Sequence, residues 1–159
     1  MAEAETLIDP QLRAVIEAHR DMAGPLLPIL HAVQEAFGYV DDRHVVAIAE
    51  ALNLSRAEVH GVVTFYHDFR RQPPGRHILR LCRAESCQSM GCEALSERLS
   101  RRLGIGFGET TADGQVTLEA VYCLGNCALS PAAILDGKVY GRLDEAALDA
   151  LLETAEVAA

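Results

Sequence analysis

Val116-Thr117-Leu118-Glu119-Ala120-Val121-Tyr122-Cys123-Leu124-Gly125-Asn126-Cys127 decides how the second half of this chain is read. Val116, Leu118, Ala120 and Tyr122 alternate with Thr117, Glu119 and Val121, the two-residue period of a strand. That strand delivers Cys123, and Cys127 follows after a three-residue gap. Gly125 and Asn126, between the two thiols, are residue types that tolerate positive φ. A turn there can point backbone N–H groups at sulfur. The same arrangement occurs upstream, where Arg76 to Leu81 reads as a short strand delivering Cys82, with Cys87 four residues beyond.

Between and beyond these strands the period changes. Met90 to Leu103 reads as a helix with Leu95, Leu99 and Leu103 on one face. Ala132–Leu135 and Val139–Arg142 flank Asp136-Gly137, a favoured hairpin dipeptide. Asp144 can cap a last helix that turns Ala147, Leu148, Leu151 and Leu152 inward. The order β-α-β-β-β-α describes a small open α/β sheet with helices packed on it. Pro131 stands where a thioredoxin-like sheet carries a cis-proline, and an ordinary trans turn is the alternative.

Gln72-Pro73-Pro74-Gly75 cannot continue a helix or a central strand, which predicts a boundary between domains 1–73 and 74–159. Before it the apolar period is helical. Leu26, Ile29, Leu30, Val33 and Phe37 form one stripe, with Gly38 placed to end it. Val45, Ile48, Ala49 and Leu52 form another, which Asp41 and Asp42 can cap. Ser55-Arg56-Ala57-Glu58 reads as a capping box opening a helix striped by Val59, Val62, Val63 and Tyr66. A further helix over about residues 10–20 completes a small helical bundle.

The five cysteines are Cys82, Cys87, Cys92, Cys123 and Cys127. The start, MAEAETLIDPQ, carries no cationic or apolar leader pattern, which predicts a reducing cytoplasmic setting where clustered thiols signify metal or redox chemistry. Structural zinc favours tighter two-residue knuckles, whereas a four-residue gap also occurs in plant-type [2Fe–2S] ferredoxins. The spacing favours a two-iron cluster over zinc and leaves both open. Cys92 falls on the Leu95–Leu99–Leu103 stripe, the place of a buried structural thiol. Arg70, Arg71, Arg76, Arg80 and Arg83 run without an intervening acidic residue; they read either as electrostatic support for an anionic cluster or as a solvated surface.

Other chemistry is poorly represented. None of the six histidines has a cysteine at ligand spacing, and Gly104-Ile105-Gly106-Phe107-Gly108 follows a helix rather than a strand, so it fails the phosphate-loop pattern. Fourteen basic against 23 acidic side chains, a net charge of −9 over 159 residues, argue against nucleic-acid binding. No apolar run approaches a membrane span. The chain has no C-x-x-C of a thiol–disulfide oxidoreductase.

Gly61-Val62-Val63-Thr64-Phe65-Tyr66 with Phe69, then Cys82-x4-Cys87 and Cys123-Leu-Gly-Asn-Cys127, resemble in that order the 24-kDa-type (NuoE-like) subunit of NADH dehydrogenases. The resemblance runs from about Pro25 to Leu152. It implies a thioredoxin-like ferredoxin domain whose [2Fe–2S] cluster is held by Cys82, Cys87, Cys123 and Cys127, with Cys92 outside the ligand set. Cys82-Arg-Ala-Glu-Ser-Cys87-Gln-Ser-Met-Gly91 is similar more particularly to the gamma subunit of cytosolic NAD-dependent molybdenum formate dehydrogenases. On that reading this chain has no substrate-turnover site. It relays electrons beside a flavin- and NAD-binding subunit holding FMN, while a larger partner holds the molybdenum cofactor. The alternatives are the equivalent subunit of a respiratory NADH dehydrogenase or NAD-linked hydrogenase, a free-standing ferredoxin, and a zinc-stabilised interaction module. A helical segment of about 70 residues is small for independent stability, so it is expected to gain by lying on another surface, with Phe65-Tyr66 at or near a subunit interface.

Overall fold

The computed structural model describes residues 9–157, side chains being described as far as Thr154; the expectation about a leader rests on MAEAETLIDPQ, of which residues 1–8 lie outside that range. The chain divides into two compact units, Met1–Pro73 and Pro74–Ala159.

The first unit holds α1 (Pro10–His19), α2 (Leu26–Phe37), α3 (Asp42–Leu52) and α4 (Arg56–Phe65). Their ends follow local chemistry. Asp9 accepts the Gln11 N–H at 2.8 Å, and Pro10 occupies the first turn, where its missing N–H costs nothing. Gly38 ends α2 at φ +83°. Asp41 caps α3 by accepting the N–H groups of Arg43 and His44, while the His44 ring accepts the Asp41 N–H in return. Ser55 and Glu58 close the expected capping box on α4. Ile29, Leu30, Val33, Ile48, Val59 and Val63 are buried at the centre. Tyr66 departs from the expected stripe. The helix stops at Phe65, and Tyr66 turns extended and half-exposed, edge-on to Phe65 and Phe69. The reason lies beyond the helix: Gln34 accepts the Arg70 N–H and donates to the Asp68 carbonyl, both at 2.7 Å. That clamp draws Phe69 into the core instead.

His44 gives this unit a pH dependence. Burial disfavours its charged ring and holds its pKa below the ordinary 6.5, although the Asp41 carboxylate pulls the other way. The unfolded chain therefore binds the proton first. Stability is full above about pH 6.5 and is lost as pH falls toward the folded value. Asp41 stays ionised throughout that window, because its own pKa lies below 3.8. Urea midpoints followed by circular dichroism should fall between about pH 7 and pH 5, and His44→Gln should flatten the slope. An equal slope in the variant would refute the assignment.

The second unit is built on a five-stranded sheet of order β2-β3-β1-β4-β5. In chain order it runs β1 (His77–Cys82), α5 (Glu85–Ser89), α6 (Cys92–Leu103), β2 (Glu109–Thr110), β3 (Val116–Val121), a 3-10 turn (Cys127–Leu129), β4 (Ala133–Leu135), β5 (Lys138–Tyr140) and α7 (Glu145–Val157). β1 and β3 are parallel with Cys82 opposite Val121; β4 runs antiparallel to β1. Leu79, Leu81, Leu118 and Leu135 share a core with Leu95 and Leu99 of α6 and Leu148 and Leu152 of α7. Arg98 ties those two helices together, bonding Asp149 and Glu145. Asp136 (φ +49°) and Gly137 (φ +83°) form the expected hairpin turn, and Ser130–Pro131 is a cis peptide.

Three details differ from the sequence expectation. The helix expected from Met90 begins at Cys92, because Gly91 at φ +87° separates it from the short α5. The two-residue β2 has no pattern of its own and exists by pairing with β3. Tyr122 does not join the inward row of β3. The strand ends at Val121, Cys123 takes φ +90°, and Tyr122 is left 72% exposed.

Candidate metal centre

The parallel pairing of β1 and β3 fixes the geometry of the thiols. Both strands end at the same edge, so the loops carrying Cys82–Cys87 and Cys123–Cys127 emerge side by side. Cys82 is the last residue of β1; its N–H donates to the Ala132 carbonyl, and the Arg83 N–H donates to Val121. Cys87 sits in α5, buried with Cys82, Cys92 and Ala132. The second loop turns through Cys123 and Gly125, both at positive φ, whereas Asn126 is at −103°. The expected N–H-to-sulfur contact is present: Gly125 donates to Cys123 Sγ at 3.4 Å.

The thiols form two pairs. Cys82 and Cys87 share one buried cluster, and Cys123 Sγ lies 3.8 Å from Cys127 Sγ. Two tetrahedral ligands on metal–sulfur bonds of about 2.3 Å stand about 3.8 Å apart. The Cys123–Cys127 pair therefore fits one metal. Two pairs on facing loops suit two bridged metals better than one zinc ion.

Backbone donors favour the thiolate at Cys82, and the other shifts run the opposite way. Burial opposes ionisation of Cys82, but N–H groups of Ala84, Cys123 and Leu124, with the Cys87 thiol, outweigh it and hold its pKa below the ordinary value. Burial and the neighbouring Cys82 push Cys87 up, against the Ala132 N–H and the Ser130 hydroxyl. The bond to Cys123 raises Cys127. Cys92 is fully buried at the start of α6, its thiol pushed up to about 11 by burial and then by Glu93. Its helix-face position is the one expected.

The arginines divide. Arg80 bonds Glu119 and Arg83 bonds Glu93, each at 2.8 Å, and Arg83 also lies over Phe107. Their charge is thus largely matched locally, which weakens the electrostatic-support expectation. Arg71 pairs with Asp42 inside the first unit. Among the described residues no histidine joins the thiols; His77, at the other end of β1, bonds Asp136 at 2.7 Å. Sequence reasoning missed Ser86 and Ser130, which link the two loops. No spacing pattern marks either residue.

This is the fold of a thioredoxin-like iron–sulfur protein. The family described as thioredoxin-like [2Fe-2S] ferredoxin matches residues 12–156. The chain is 40% identical over 135 residues to the E subunit of the NADH-quinone oxidoreductase of Pseudomonas aeruginosa, covering 85% of this chain and 81% of the relative. It is 36% identical over 135 residues to the corresponding E subunit of Escherichia coli, covering 85% and 81%. Among solved structures it is similar to an NAD+-reducing [NiFe]-hydrogenase in the air-oxidised state, with TM-score 0.69 and 29% identity over 80% of this chain. It spans only 22% of that hydrogenase chain. This chain belongs to the thioredoxin-like [2Fe–2S] ferredoxin family, that of the NuoE-like 24-kDa-type subunits. No helix among the described residues is long and apolar enough to cross a membrane.

Proposed function

We propose that Cys82, Cys87, Cys123 and Cys127 hold one [2Fe–2S] cluster, and that residues 1–73 and 74–159 act as separate domains of a cytoplasmic electron-transfer subunit. The observation that carries this reading is the pairing of four thiols on two adjacent loops, fed by backbone N–H groups. When bound, the cluster supplies one-electron transfer. The chain's own residues hold it at the sheet edge, keep Cys82 and Cys87 out of water, and leave Cys123 and Cys127 exposed toward a partner.

The partner is a flavin- and NAD-binding subunit carrying FMN, within an NADH-quinone oxidoreductase-type complex. The Pseudomonas and Escherichia relatives support that assignment, and the hydrogenase likeness extends it to NAD-linked electron transfer. Exposed apolar side chains support docking by each unit separately: Met90, Tyr122 and Leu129 follow or adjoin the ligands on the second unit, and Phe65 and Tyr66 stand out on the first. A second reading, the equivalent subunit of a molybdenum formate dehydrogenase, rests on the stretch from Cys82 to Gly91. Purification of the native complex decides between them. Iron and acid-labile sulfide without molybdenum, with NADH oxidation, support the first; molybdenum with formate-dependent NAD+ reduction supports the second. Zinc in place of iron would defeat both. Tyr122→Ser should weaken capture of the flavin subunit about tenfold at unchanged iron content, since exposed aromatic anchors dominate interfaces.

A further inference from the structure

The sheet fixes one thiol of each pair and leaves the other to its loop. Cys82 is the last residue of β1, paired with Val121 and donating its N–H to the Ala132 carbonyl, and Cys123 follows closely after Val121. Cys87 and Cys127 lie beyond the paired residues of either strand. Two serines bridge that gap. Ser86 immediately precedes Cys87 in α5, and Ser130, 9% exposed, follows the turn Cys127–Leu129. Ser130 donates its hydroxyl to the Cys127 carbonyl at 2.7 Å, and its N–H donates to the same oxygen at 3.3 Å. Ser86 Oγ stands 2.7 Å from Ser130 Oγ and 3.3 Å from that carbonyl. With the Ser130 proton committed to the carbonyl, the Ser86 hydroxyl donates to Ser130 Oγ, the shorter of its two contacts. A relay therefore runs from the first loop to the second, and each of its bonds polarises the next. Ser86 is itself held from behind, its carbonyl accepting the Ser89 hydroxyl at 2.8 Å.

We propose that Ser86 and Ser130 are positioning residues that set the separation of Cys87 from Cys127, and so fix the edge of the four-thiol site that the sheet does not reach. The proposal rests on the cluster reading above. The relay acts on the chain beside each thiol rather than on sulfur. At one end it grips the carbonyl of Cys127 itself; at the other it is anchored on the residue before Cys87. Cys127 is exposed, so its own surroundings do little to hold it, and the relay supplies what burial gives Cys87. Ligands kept in place by outer hydrogen bonds hold metal more tightly than ligands free to swing. The fold does not need the relay: with both hydroxyls gone, the Cys127 carbonyl still accepts the Ser130 N–H, and no buried acceptor is orphaned.

The test follows release of iron from the purified full chain to a chelator, with the electron paramagnetic resonance spectrum of the dithionite-reduced chain beside it. Ser86→Ala should release iron about tenfold faster at an unchanged circular dichroism spectrum, the usual loss when an outer partner of a metal ligand is removed. Its g values should move, which a general loss of stability would not cause. Ser86→Thr, which keeps the hydroxyl, should restore both. Ser86→Ala combined with Ser130→Ala should release iron no faster than the faster single variant, because both hydroxyls serve one relay. A wild-type release rate in Ser86→Ala overturns the proposal. Faster release with wild-type g values, or faster release that Ser86→Thr does not restore, overturns it equally. Effects that multiply in the double variant overturn the relay. Should Ser86→Ala load no iron, full loading of Ser86→Thr upholds the proposal and an empty Ser86→Thr overturns it. A wild-type chain devoid of iron and sulfide refutes the cluster itself, a result the metal assay separates from an unchanged rate.

Discussion

Alanine at Cys87 is expected to abolish bound iron and acid-labile sulfide, while alanine at Cys92 leaves both at wild-type content. The two thiols are five residues apart, both buried, and share a small apolar cluster with Cys82 and Ala132. Burial therefore cannot tell them apart; attachment to the chain does. Cys87 lies in α5, on the loop that Gly91 hinges away from α6, buried beside Cys82 and Ala132. Cys92 belongs to α6, one turn before Leu95 and two before Leu99, on the face packed toward the sheet. Cys87→Ala removes one of four anchors, and three thiolates leave an iron with an open site. Cys92→Ala deletes one buried sulfur and costs about 1 kcal/mol of stability. Iron and sulfide analysis, with the visible spectrum before and after dithionite, checks both. Loss of the cluster in Cys92→Ala with retention in Cys87→Ala would reverse the ligand assignment.

The sequence made the positions of the thiols legible because their strands are. The residues β1 contributes are mostly apolar, β3 alternates, and the Asp136-Gly137 turn fixes where β4 must end; parallel strands ending at one edge then bring the loops together. Local capping chemistry was equally readable, since Ser55 with Glu58 and Asp41 before α3 act within four residues. What stayed hidden depends on partners far away in the chain. Tyr66 falls in a helical stripe, but its fate is set by Gln34 gripping the segment after α4. Thr117, in an outward position of β3, is buried because its hydroxyl meets Thr110 and accepts the Gly75 N–H. Arg80 and Arg83 read as an unopposed basic run because Glu119 and Glu93 come later in the chain. Ser86 and Ser130, 44 residues apart, meet only once both loops are folded.

Gly141→Ala should displace the second ligand loop and lose most of the cluster, although residue 141 lies fourteen positions beyond the last thiol. A Cβ at this position would stand 2.7 Å from Leu129 Cβ and 2.8 Å from both Asn126 Nδ2 and the Leu129 carbonyl. Real Cβ atoms do not approach so closely, and one of the three contacts is backbone, so a side-chain rotation alone cannot relieve it. The contacts also fall on the turn that carries Cys127: the Leu129 N–H donates to Asn126, and the Leu129 carbonyl accepts the Arg142 N–H at 2.6 Å. Moving Leu129 outward strains that bond and carries Cys127 away from Cys123. The same addition at Gly125 meets nothing within 4 Å; there the cost is the positive φ, +74°, rather than a clash. Overpacking of this kind costs about 1–3 kcal/mol. Cluster binding is expected to suffer more than folding, since the sheet core of Leu79, Leu118 and Leu148 lies apart from the clash. Gly141→Ala should therefore keep its circular dichroism spectrum while its iron and sulfide content falls several-fold. Full iron and sulfide content in that variant would show that the loop moves without disturbing its thiols, and that the close approach at Gly141 is not what positions Cys127.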